Sequence, residues 1–142
     1  MPIATIMASA FHGMIFYDKS RDISRKVDWK VLVFYGLESS DTDEVCNSLV
    51  QIGCTEKAVE SAREHCLRGI PNTGLTYSNL AGRKSVVAIS RTTSEYEFVN
   101  TATHEMFHVV THICESLGID LKDEEPCYMM GWLCQAVSRI FI

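Results

Sequence analysis

The stretch SVVAISRTTSEYEFVNTATHEMFHVVTHICESLG (residues 85–118) decides how the chain is read. Its first six residues are β-branched or small, with Val86, Val87 and Ile89 in one run, and they read as a strand. Ser94 with Glu97 three residues later is a capping box, which opens a helix. Apolar residues then recur at helical spacing until Gly118 offers a stop. A strand thus feeds a long amphipathic helix that carries His104-Glu105-Met106-Phe107-His108.

Working outward, the segment before this strand contains a short strand at 75–78, bounded by turns at Asn72-Thr73-Gly74 and at 79–83, where Gly82 sits. Upstream, the spacing predicts helices over 42–52 and 56–68. The first begins at a capping-box-like Asp41 and Glu44 and ends at Gly53; the second is stopped by Gly69 and Pro71. Residues 14–17 and 29–35 (WKVLVFY) read as strands, and the charged residues 18–28 as a loop or long hairpin connection. Downstream, Pro126 suits the first turn of a last helix that runs from about 123–126 to 139. Two strands, two helices, a hairpin and two helices make an α+β fold, a small mixed or antiparallel sheet packed on helices.

A length of 142 residues predicts one domain, 1–142. At 46% hydrophobic and 22% charged, the composition excludes a disordered chain. The net charge of −5, without a basic run, argues against nucleic acid, whose affinity comes from Lys and Arg displacing counterions. No apolar stretch approaches 18 residues, so no membrane span is expected. The six cysteines form no CxxC pair, and most fall where a helix buries a small apolar residue. They read as reduced core thiols of a cytoplasmic protein. Residues 1–10 lack a basic segment and a long enough apolar run for a signal peptide.

The helix carries the chemistry. His104 and His108 are four residues apart, share one face, and stand about 6 Å apart along the axis. Both imidazoles can therefore converge on one zinc ion, and Glu105 beside them can reach a water on it. Projection at 100° per residue puts Phe98, Ala102, Met106, Val109, Ile113 and Leu117 on one side. Glu97, Thr101, His104, His108, His112 and Glu115 fall opposite. A merely solvated face has no reason to place histidines on three successive turns. A hydrolytic zinc site needs a third protein ligand. Cys114 occupies the place of the third histidine in HExxHxxGxxH, but in an unbroken helix it points away. His112 is about 12 Å from His104 along the axis, so it suits a supporting or substrate-binding role, and Glu115 fails in the same way. Glu124 and Glu125 remain: Gly118 lets the chain reverse, and an antiparallel helix can return a carboxylate. Glu124 is preferred, with Glu125 as the alternative that the helix dipole also accounts for.

The segments TGLTYSN (73–79), RKSVVAISRTTS (83–94), EFVNTATHEMFH (97–108) and EEPCYMMGWL (124–133) resemble a group of small HExxH proteins of phages and gut bacteria, regarded as metallopeptidases. The resemblance covers about the last 60 to 70 residues. It implies a zincin-like fold of the gluzincin kind, an HExxH helix followed by a glutamate-bearing helix. The group's late motif, Glu-x-x-Ala-Tyr-Leu-x-Gly, aligns its glutamate with Glu124; Cys127 and Met129 stand where it has Ala and Leu. It also implies a bacterial or phage-infected cytoplasm.

The expected activity is zinc-dependent hydrolysis of a peptide or protein substrate, with one catalytic zinc held by His104, His108 and Glu124, and Glu105 as base. His112, Tyr77 and Tyr128 are the available hydrogen-bond donors to substrate, although Tyr128 equally suits a core aromatic. Strand 85–90, if at the sheet edge, would let an extended peptide pair with it. The alternative is a non-catalytic zinc-binding module in which the metal joins the two C-terminal helices and the chain acts by binding a protein partner.

Overall fold

The structure, a computed structural model, describes residues 7–139. Six of the ten N-terminal residues weighed above as a signal peptide therefore lie outside the described residues. The elements are β1 (Met7–Phe11), β2 (Met14–Asp18), β3 (Ile23–Val27), β4 (Lys30–Leu37), α1 (Thr42–Gln51), α2 (Glu56–Arg68), β5 (Gly74–Asn79), β6 (Lys84–Ser90), α3 (Glu95–Leu117) and α4 (Glu124–Ser138). Among the described residues the fold is α+β, with a four-stranded mixed sheet, a separate two-stranded hairpin and four α-helices.

Four strands line up as β1-β4-β6-β5. β4 and β6 are parallel, while β1 and β5 run antiparallel to their neighbours. The parallel pair requires a crossover, which α1 and α2 supply. β6, expected as a possible edge, is an inner strand, and β5 is the edge beside the histidine helix. An inner strand must be apolar on both faces, and five successive residues of β6, from Ser85 to Ile89, are buried.

Alternation along the strands divides the core in two. Val31, Val33, Val87 and Ile89 face α3 and α4, packing on Met106, Val109, Ile113, Met129 and Leu133. Phe34, Val86, Ala88 and Leu75 face α1 and α2, packing on Val45, Leu49 and Ala62. The sheet is therefore a middle layer. The helix α3 buries a wider stripe than projection placed there. Thr101, assigned to the polar side, is 8% exposed, and Glu105 is 2% exposed. The reason is β5, which covers the flank of α3 that would otherwise meet water.

Helix ends follow local chemistry. The Ser94 side chain accepts from the Glu97 amide, Thr55 from the Ala58 amide, and Gly69 and Gly118 close α2 and α3 at φ 61° and 68°. Asp41 behaves differently from expectation, because its carboxylate accepts from the Glu38 amide behind it and does not cap α1. The charged region 18–28 contains β3, paired with β2. The β2–β3 hairpin lies on α4: Phe16 stacks on Tyr128, and Arg21 and Arg25 donate to the two carboxylate oxygens of Glu125 at 2.8 and 3.0 Å. All six cysteines are free thiols, two of them (Cys46 and Cys114) buried and Cys127 exposed. Among the described residues no helix is long and apolar enough to cross a membrane.

Candidate metal centre

Among the described residues, one group of side chains could hold a metal ion: His104, Glu105 and His108, whose ligand atoms all lie within 4.8 Å of one another. The α-helical repeat places the two imidazoles on adjacent turns, and their Nε2 atoms stand 3.3 Å apart. Two nitrogens bound at about 2.0–2.1 Å to one tetrahedral ion stand about 3.3–3.4 Å apart. The rings, crossed at 71° with centroids 5.0 Å apart, therefore sit as a single cation requires. The donor set of two imidazoles and a carboxylate suits zinc and other first-row divalent ions alike.

Glu105 differs from the histidines in its surroundings. Both imidazoles are exposed, whereas Glu105 is buried against β5. Burial pushes its carboxyl above the usual carboxylate range, and the nearby His108 and His104 together with the Thr76 hydroxyl pull it partly back. Thr76 Oγ1 lies 3.4 Å from Glu105 Oε1. Gly74 makes room for the side chain: a Cβ there would stand 2.8 Å from Glu105 Cγ and 3.1 Å from the carbonyl oxygen of Ala88. A cavity of about 350 Å³ opens beside the group, lined by His104 and Glu105 on one side and by Asn72, Gly74 and His65 on the other. Burial, with the charge of Arg68 nearby, lowers the pKa of His65.

Gly74, Thr76, Ser78 and His65 were not singled out as site residues from the sequence. Gly74, Thr76 and Ser78 alternate along β5 and all face α3, while Leu75 and Tyr77 belong to the opposite cluster. The signal is present in GLTYS as a period-two row of small and polar residues, which a short strand makes easy to overlook. His65 had no such signal, because nothing local ties α2 to the cavity.

The other sequence candidates lie elsewhere. Glu124, the first residue of α4, is exposed and stands outside the His104–Glu105–His108 group. Its level along α3 follows from its neighbours. Burial first, and then the charges of Glu125 and Asp123, raise the pKa of the Cys114 thiol. Cys114 is ten residues beyond His104, about 15 Å along the helix axis. Only six residues separate the end of α3 at Leu117 from Glu124 at the start of α4, so the acidic residues lie near the C-terminal end of α3. Glu125 is 4% exposed with both oxygens engaged by Arg21 and Arg25, so it is committed to the hairpin. Tyr128 is half-buried, and its hydroxyl accepts from the Lys19 amide at 3.1 Å on that same hairpin. Tyr77 packs in the α1–α2 cluster across the sheet from the histidines. His112 continues the histidine row, with its ring centroid 6.4 Å from that of His108. Burial, and then the neighbouring His108, lower its pKa, partly offset by Glu115.

No protein family, curated protein or solved structure matches the chain.

Proposed function

We propose that the chain is a zinc-dependent metallopeptidase in which His104 and His108 supply two ligands to the cation, a third comes from outside the His104–Glu105–His108 group, and Glu105 is the general base. The observation that carries this reading is the pair of imidazole nitrogens 3.3 Å apart with a buried carboxylate beside both. When bound, zinc supplies Lewis acidity, polarising a carbonyl oxygen and making water more acidic. Glu105 takes a proton from the attacking water and returns it to the leaving amine. A carboxyl held above its ordinary range is better matched to that exchange near neutral pH. Thr76 and Gly74 fix where the carboxylate can sit. An extended peptide would pair along the outer edge of β5, which among the described residues has a sheet partner on one side only.

One observation favours the second reading, a metal-binding module without catalysis. Glu105 lies inside the same 4.8 Å group as the histidines, and Glu124 does not join it, so Glu105 can serve as the third ligand itself. A carboxylate spent on the metal is no longer a base.

Glu105→Gln separates the two. For the peptidase, the variant keeps stoichiometric zinc by metal analysis and loses cleavage of a labelled protein substrate by 10²-fold or more, roughly the contribution of a general base. Loss of zinc from the variant favours the module. Cleavage that survives the substitution removes Glu105 from the chemistry.

A further inference from the structure

Beyond Glu105, the row of side chains between β5 and α3 ends in a chain of hydrogen bonds. The indole Nε1 of Trp29 donates to Ser85 Oγ at 2.8 Å. The hydroxyls of Ser85 and Ser78 stand 2.6 Å apart, and Ser78 Oγ lies 2.7 Å from His112 Nδ1. Trp29 is 2% exposed and Ser85 1% exposed, so this end of the chain is closed to water.

Counting protons gives the chain a direction. An indole N–H can only donate, so Ser85 accepts from Trp29. The Ser85 proton then has the Ser78 oxygen within reach, and giving it there leaves the Ser78 proton for His112. The opposite direction, with Nδ1–H donating to Ser78 and Ser78 to Ser85, strands the Ser85 proton in the core without an acceptor, which is costly. We infer that this relay holds His112 as the neutral imidazole with a bare Nδ1, and that its Nε2–H is a hydrogen-bond donor to a carbonyl oxygen of a peptide bound at the His104–His108 centre. The second half rests on the peptidase reading.

The placement fits that task. Nδ1 and Nε2 lie on diverging edges of the ring, so an Nε2–H points away from β5 while Nδ1 points to it. Gly74 and Thr76 sit beside Glu105, and Ser78 beside His112, so β5 and α3 advance together. A peptide laid along β5 leaves the cavity near Gly74, passes the two histidines, and reaches His112 one turn further on. His112 is thus a positioning residue for the half of the substrate opposite the cavity.

The test uses the zinc-loaded full chain. A two-bond ¹⁵N–¹H imidazole spectrum is expected to show His112 protonated at Nε2 and bare at Nδ1, and Ser78→Ala to convert it to an averaged mixture of tautomers. Protonated Nδ1 in the wild type, or an unchanged spectrum in Ser78→Ala, overturns the relay. Binding of a short peptide hydroxamate is expected to weaken about tenfold in His112→Ala and in Ser78→Ala at unchanged zinc content, the loss of roughly one hydrogen bond, with partial recovery in His112→Gln. Unchanged affinity in both alanine variants overturns the donor role. Wild-type protein that holds zinc but fails to bind the hydroxamate overturns the donor role together with the peptidase reading, while the tautomer result still decides the relay.

Discussion

Glu105 is the residue whose environment separates this centre from two histidines on a wet helix. It is buried because β5 crosses over it, and it fits because position 74 has no side chain. Gly74→Ala is therefore expected to push Glu105 out of place and to cost about 1–3 kcal/mol, the usual penalty for overpacking a filled site. Chemical denaturation measures the stability, and the same preparation is expected to lose cleavage at retained zinc. The pair His104 and His108 was legible because its chemistry depends only on helical repeat, a local property. The position of the acidic residues of α4 was not. Which carboxylate reaches a metal depends on how far α4 slides along α3, and the brief turn after Gly118 sets the acidic residues level with Cys114. Gly74, Thr76 and Ser78 acquire meaning only when β5 is known to face α3.

At the scale of elements, the β2–β3 hairpin is the part the sequence disclosed least. The run ISRKV in β3 buries one residue, Val27, and carries two cations, so it lacks the alternation by which strands are recognised. Arg25 is used across the molecule, on Glu125, together with Arg21 from the turn before it, while Lys26 pairs locally with Asp28. The turn is tied by Asp18, fully buried at the end of β2, whose Oδ1 accepts from the Ser20 hydroxyl and from the Ser20 and Arg21 amides. The Ser20 hydroxyl holds the Asp18 carboxyl below its ordinary value of 3.8 against the opposing effect of burial, with the two amides and the Arg21 charge adding to the lowering. A carboxyl lowered by folding contributes stability that is complete above its unfolded value and disappears as pH falls below it. Asp18→Asn is thus expected to be less stable than wild type at pH 7, with the deficit closing below about pH 3.8. Thermal melts across that range check the sign. The helices were far more legible: residues 56–68 match the observed helix, whose end is marked by the local stop signals Gly69 and Pro71.

For the whole molecule, strand order was the quantity that sequence could not supply. Pairing β6 beside β4 rather than at the rim depends on a crossover closing over α1 and α2, and no nearby residue announces it. The consequence for stability is that the two histidines lie on a helix packed against both halves of the chain, through β2 by way of α4 and through β6 directly. A cation binding the folded state and not the unfolded one raises the melting temperature, by about 2.7 kcal/mol of stabilisation at a hundredfold excess over its dissociation constant. Zinc is expected to raise the melting temperature of the wild type and a chelator to reverse it, whereas His104→Ala with His108→Ala should show neither response by calorimetry.

The parallel seam between β4 and β6 also bears on how such a centre comes into being. The histidine helix rests on a sheet of which β1 and β4 precede the crossover in the chain while β5 and β6 follow it. A gene fragment carrying only the histidine-bearing half would keep the ligands with β5 and β6 but lose β4, the strand on which β6 is paired.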